Sequence, residues 1–180
     1  MSSNTPSNVG IRLSRTRACG LALAAAAAMF APSAATAATA SGTLSVSATV
    51  TSDCTVSTTA IAHGVFNSIN GAVNNATGAL SITCSNGAAW TATAGVGAGT
   101  GASYTTRKMM SGANLINYNL YTTSGYTTVW GDGVTGGSAT ITGTGTGSLQ
   151  SVTIYSRIPA GQGAAVVGSY SDSVAVTITY

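Results

Sequence analysis

Residues 41–54 read SGTLSVSATVTSDC. Leu44, Val46, Ala48 and Val50 fall on one parity, and Thr43, Ser45, Ser47 and Thr49 fall on the other. A two-residue alternation is the pattern of a β-strand with one buried face. Only Thr51, Ser52 and Asp53 separate this strand from Cys54 and the next apolar stretch. A parallel neighbour within one chain needs a crossover of about a dozen residues or more. Three residues cannot supply it, whereas a tight antiparallel hairpin within the chain remains possible, so what the apolar face is buried against becomes the first question.

Upstream, Arg12, Arg15 and Arg17 precede a short apolar run, ACGLALAAAAAMFA, and then the small-residue stretch PSAATAATAS. Together they read as a secretory signal peptide over residues 1–40, cleaved near 37–40; the run is too short and too alanine-rich for a membrane span. The formal net charge of +3 belongs to that signal. Beyond it Arg107, Lys108 and Arg157 balance Asp53, Asp132 and Asp172, and there is no Glu, so the charge is no nucleic-acid footprint. The remaining chain is long enough for one domain, expected to be exported and soluble. It holds two cysteines, Cys54 and Cys84. An even pair in an oxidising compartment reads as a disulfide, the alternative being two buried thiols.

Past the signal no stretch keeps a helical apolar period for two turns; short alternating runs broken by glycine appear instead. Val56 and Ile61 mark a strand after Cys54. GALSITCSNGAAWTAT (78–93) places strands on either side of Asn86-Gly87, a dipeptide that favours a two-residue hairpin, and Asn70-Gly71 gives a second turn signal. NLINYNLYTT alternates through Ile116, Tyr118 and Leu120, with Tyr121 opposite. In QSVTIYSRI, Val152, Ile154, Ser156 and Ile158 share one face, with Thr153, Tyr155 and Arg157 on the other. The last run, SDSVAVTITY, alternates Val174, Val176, Ile178 and Tyr180. Seven or eight short strands over this length predict an antiparallel sandwich.

Catalytic signals are sparse. His63 is the only histidine, three aspartates are scattered, and no G-x-S-x-G elbow surrounds any serine. His63 reads as a loop residue between strands. AGVGAGTGA and GTGTG lack the helix or Lys of a phosphate cradle and read as loops or strand edges. Asp132 between two glycines suggests a tight turn; one carboxylate is too few for calcium. Arg107-Lys108 reads as a solvated sheet edge, and Met109 and Met110 as packing residues. Trp90 and Trp130 could stack on a sugar, though a sandwich buries at least one of them. Neither enzyme activity, a cofactor nor a metal is expected.

The quoted runs, with GTLSVSATVTSDCTVS, LSITCSNG, RKMMSGANLINYNLYT, TTVWGDG, GTGTGSLQSVTIYSRIPAGQ and GSYSDSVAVTITY, together resemble the spore coat protein U domain, the subunit family of archaic, Csu-type chaperone–usher pili. The likeness runs from about Ser41 to Tyr180. It implies an all-β fold: an incomplete immunoglobulin-like antiparallel sandwich completed by donor-strand exchange. Residues 41–52 would be the donor strand and 53–180 the pilin domain. A periplasmic chaperone, then a neighbouring subunit at the outer-membrane usher, would supply the missing strand, an instance of β-strand addition. The donated strand would run parallel to the recipient's first strand, so Leu44, Val46, Ala48 and Val50 would fill another subunit's groove. That groove would be lined partly by Val174, Val176 and Ile178, and the final strand ending at Tyr180 would pair with the chaperone unless it is an ordinary last strand. The implied function is a structural subunit of a surface fibre, exported through the periplasm and serving adhesion and biofilm. The alternatives are a minor or tip-proximal adhesive subunit, or a structural protein of a spore or cell coat.

Overall fold

The structure, a computed structural model, describes residues 36–69 and 71–180. The signal-peptide reading therefore falls largely, and Asn70 entirely, outside the described residues. Eight strands follow in chain order: β1 (Cys54–Thr58), β2 (Asn74–Cys84), β3 (Ala89–Ala94), β4 (Arg107–Ser111), β5 (Asn114–Tyr121), β6 (Ile141–Thr144), β7 (Gln150–Ile158) and β8 (Val176–Thr179). Among the described residues helical structure is confined to one 3-10 turn, Thr135–Gly137. The strands form a five-stranded sheet, ordered β1-β2-β7-β5-β4, and a three-stranded sheet, ordered β6-β3-β8. All strand pairs are antiparallel.

Alternation dictates which side chains enter the core. Leu80, Ile82 and Cys84 of β2, Trp90, Ala92 and Ala94 of β3, Ile116, Tyr118 and Leu120 of β5, and Ile154 and Ile158 of β7 are all buried. Both tryptophans are core residues, and Trp130 donates its indole N–H to the Ala92 carbonyl at 3.2 Å. The outward positions of β7, Thr153, Tyr155 and Arg157, are more exposed, as their parity requires.

Two expectations need correction. Asn86-Gly87 does bend the chain, with Gly87 at φ +83°, which favours glycine. The strands it joins nevertheless lie in different sheets. After the turn β3 pairs with β6, and the Gly145 N–H donates to the Ala88 carbonyl while the Gly87 N–H donates to Gly145. A turn signal specifies a reversal and leaves the ladder partner open; here the buried faces of β2 and β3 pack on each other across the sandwich.

The second correction is Arg107, which is completely buried rather than solvated. Its Nε and Nη2 donate to the Gly95 carbonyl at 2.9 and 2.7 Å, Nη2 also to the Trp130 carbonyl at 2.7 Å, and Nη1 to Asn119 Oδ1 at 2.6 Å. Arg107 sits on edge strand β4, but its parity points inward, where these acceptors replace water. Desolvation lowers its basicity, partly offset by Tyr118, Tyr104 and Asp172.

The front of the domain is fastened at one spot. Cys54 and Cys84 are disulfide-bonded and face each other in the β1–β2 register. Next to them Ser85 Oγ accepts from the Asp53 N–H at 3.1 Å, and the Ser85 N–H donates to the Asp53 carbonyl at 2.9 Å. Asp132 forms the expected turn, accepting from the backbone of Val134 and Thr135 and from the Thr135 and Ser138 hydroxyls. These bonds, the Thr135 hydroxyl first, hold its carboxyl well below the usual range.

Candidate functional site

One edge of each sheet is left without a partner where the two edges approach. Among the described residues β1 pairs only with β2, and β8 only with β3. Past Thr59, whose N–H still donates to the Ala79 carbonyl, the chain leaves the ladder and continues outside any strand to Phe66, with Gly64 at φ +64°. Opposite it, residues 170–176 cross between the sheets: Ser171 bridges to Met110 of β4, and Val176 then opens β8 on β3.

Between these segments lies a cavity of about 350 Å³ whose floor includes Leu80, Leu120, Trp130 and Ile154. A second cavity of about 560 Å³ adjoins it through Ile61, His63, Met109 and Tyr170, which line both. It reaches Phe66, Ile116, Ile158 and Val166. The two make a groove floored by core side chains and rimmed by chain that no strand among the described residues completes.

Each rim is held in its own way. On one side Gly78 lets the wall lie close, since a Cβ there would meet Ile61 Cγ1 at 2.6 Å and the Thr59 carbonyl at 2.8 Å. His63 then pins the unladdered wall. Its Nδ1 lies 2.9 Å from Asn74 Oδ1 and its Nε2 2.8 Å from Ser156 Oγ, while Asn74 Nδ2 donates to the His63 and Val65 carbonyls. On the other side Asp172 anchors the crossover. Its Oδ1 accepts from the Ala98 and Ser173 N–H groups and its Oδ2 from the Tyr118 hydroxyl at 2.7 Å. Burial, and then the bond to Asp172, push the Tyr118 hydroxyl well above the ordinary tyrosine range.

The structure places the residues singled out by sequence as follows. Val174 and Val176 line the first cavity. Ile178 packs on the core opposite Ala92, outside the lining of either cavity, and Tyr180 is 55% exposed. Leu44, Val46 and Val50 are 87%, 86% and 90% exposed, and Ala48 is exposed as well. Sequence reading missed Ile61, His63, Phe66, Met109 and Tyr170 as groove residues. A lone histidine inside the apolar stretch IAHGVF was the available signal.

A family model described as Spore Coat Protein U domain matches residues 40–177. The chain belongs to the spore coat protein U domain family. The family match begins before Leu44, so the exposed front segment lies within the spore coat protein U domain. Among curated proteins none matches the chain. Among solved structures, one similar chain comes from the crystal structure of the CsuC-CsuE chaperone-tip adhesion subunit pre-assembly complex from archaic chaperone-usher Csu pili of Acinetobacter baumannii. The two are 17% identical with a TM-score of 0.53, over 73% of this chain and 40% of that one. This likeness is one of fold, and the spore coat protein U domain chain spans less than half of that chain's length.

Proposed function

We propose that this protein is a structural subunit of a surface pilus that polymerises by donor-strand complementation. Residues 41–52 of one copy enter the groove of the next, placing Leu44, Val46, Ala48 and Val50 over its apolar floor. A periplasmic chaperone holds the groove first, and the exchange takes place at an outer-membrane usher. The fibre serves attachment and biofilm formation, a structural rather than a catalytic role.

One observation carries the reading: two unpaired sheet edges flank a groove floored by core residues, in a chain whose front is an exposed strand-patterned segment. Adding a strand supplies ladder bonds to both edges and removes an aggregation-prone template. Burying the four donor side chains contributes about 5–8 kcal/mol before ordering costs. Because a sandwich short of a strand is poorly stable alone, assembly and folding are coupled.

Deleting Thr43–Val50 tests the proposal. The expected product is a secreted, disulfide-bonded subunit that forms no fibres with itself; abundant fibres in electron micrographs of that variant would overturn it.

A further inference from the structure

The outer face of the five-stranded sheet carries an arrangement that the sandwich does not require. Tyr121 of β5 and Tyr155 of β7 are register partners, and Arg157 lies two residues further along β7 on the same face. The loop 122–128, closed by the Thr122 N–H on the Thr128 carbonyl at 3.0 Å, brings Tyr126 to them. The Tyr126 ring meets Tyr121 and Tyr155 edge-on, with centroids 5.5 and 6.1 Å away. The Arg157 guanidinium lies 3.7 Å from the Tyr126 ring centroid, and its Nε donates to Asn75 Oδ1 at 2.9 Å.

Two details set this cluster apart. Tyr126 is the one non-glycine among the described residues with positive φ, at +54°, a conformation costly for a side chain of its size. Arg157 is held still on a tyrosine face, yet among the described residues its two Nη groups have no protein acceptor and no carboxylate pairs with it. A guanidinium fixed before binding loses little freedom when a carboxylate meets its fork. The tyrosines are half-buried, so ring surface and hydroxyls remain reachable, beside the exposed Thr123 and Ser124.

We infer that this face is a binding site for a carboxylate-bearing saccharide, such as a uronic-acid residue of a surface polysaccharide. The Arg157 fork takes the carboxylate, the tyrosine rings the sugar's apolar face, and the hydroxyls its hydroxyl groups. One cation per site makes a single contact weak and salt-sensitive. A polyuronate repeats its carboxylate, and a fibre would repeat the site, so the pairing gains by avidity; that clause alone rests on the fibre reading.

The test uses the full secreted chain on immobilised alginate, with dextran as the uncharged control. Retention on alginate at low salt, elution by free galacturonate and no retention on dextran are expected. Arg157→Gln should weaken retention at least tenfold. Tyr126→Gly should do the same while remaining folded and disulfide-bonded, since relief of the φ +54° strain offsets part of the lost ring contacts. The subunit lacking Thr43–Val50 should still bind, with lower avidity, which separates this result from any failure to polymerise. Absence of wild-type retention, equal retention on dextran, or wild-type binding by Tyr126→Gly would overturn the inference.

Discussion

The front segment and the final strand carry nearly the same pattern, four apolar residues spaced by two, and have opposite surroundings. Val174, Val176 and Ile178 are half-buried, and β8 is fixed on β3 through pairs such as Ala92 with Ile178. Leu44, Val46 and Val50 are almost fully exposed, and among the described residues no strand is formed before Cys54. Alternation therefore states that a face needs covering and says nothing about what covers it. In one case the cover is the core of the same chain; in the other we assign it to another copy.

The sharpest way to break this comparison is to put the same charge in both places. Val46→Asp should abolish fibre formation while leaving the melting temperature of the subunit unchanged. Val176→Asp should lower both, because it places an unpaired carboxylate against the groove floor. Equal melting losses for the two would show that the front segment is already seated in its own domain.

Next in size is Arg107→Ala. It would strip the Gly95 and Trp130 carbonyls of their donor beside the point where the Gly95 N–H holds the Ala175 carbonyl. A loss of about 3–5 kcal/mol in denaturant unfolding is expected, at roughly 1–3 kcal/mol for each buried acceptor left without its donor. Replacing Cys54 and Cys84 together by Ser should cost roughly 3.5 kcal/mol by the chain-entropy model, and it loosens the front end rather than the last strand. Solubility of that variant expressed by itself is the matching readout.

The smallest effect is expected at alkaline pH. The Tyr118 hydroxyl titrates higher in the folded state than in the unfolded chain, so the folded form holds an extra proton above about pH 10. Its contribution is full below that pH and is lost as pH rises further. Melting temperature should fall from pH 9 to 11, and Tyr118→Phe should flatten part of that slope.

Most of the sandwich was legible because its signals are local. Ile116, Tyr118 and Leu120, or Ile154, Ser156 and Ile158, declare a buried face by parity alone, and the two cysteines declare a clasp. The misreadings arose where a distant partner decides. Asn86-Gly87 turns as its chemistry requires, but the choice between β2 and β6 as partner for β3 belongs to the packing of two sheets. Arg107 looked solvated because nothing near it announces carbonyls from residues 12 and 23 positions away. The groove was half legible for the same reason: Val174 and Val176 show in the pattern, whereas Ile61 and His63 matter only once Asn74 and Ser156 lie behind them.

The clasp at the domain's front has a mechanical meaning. Tension on residues 47–52 reaches the body at Asp53, where Ser85 and the Cys54–Cys84 bond hand it to β2, a strand flanked by β1 and β7. The load bypasses the β1 ladder, so β1 cannot be peeled away rung by rung from that end while the covalent link is intact. Drag on a thread of such subunits would thus be borne in shear by the sheet's interior, and reduction would turn the same joint into a zipper.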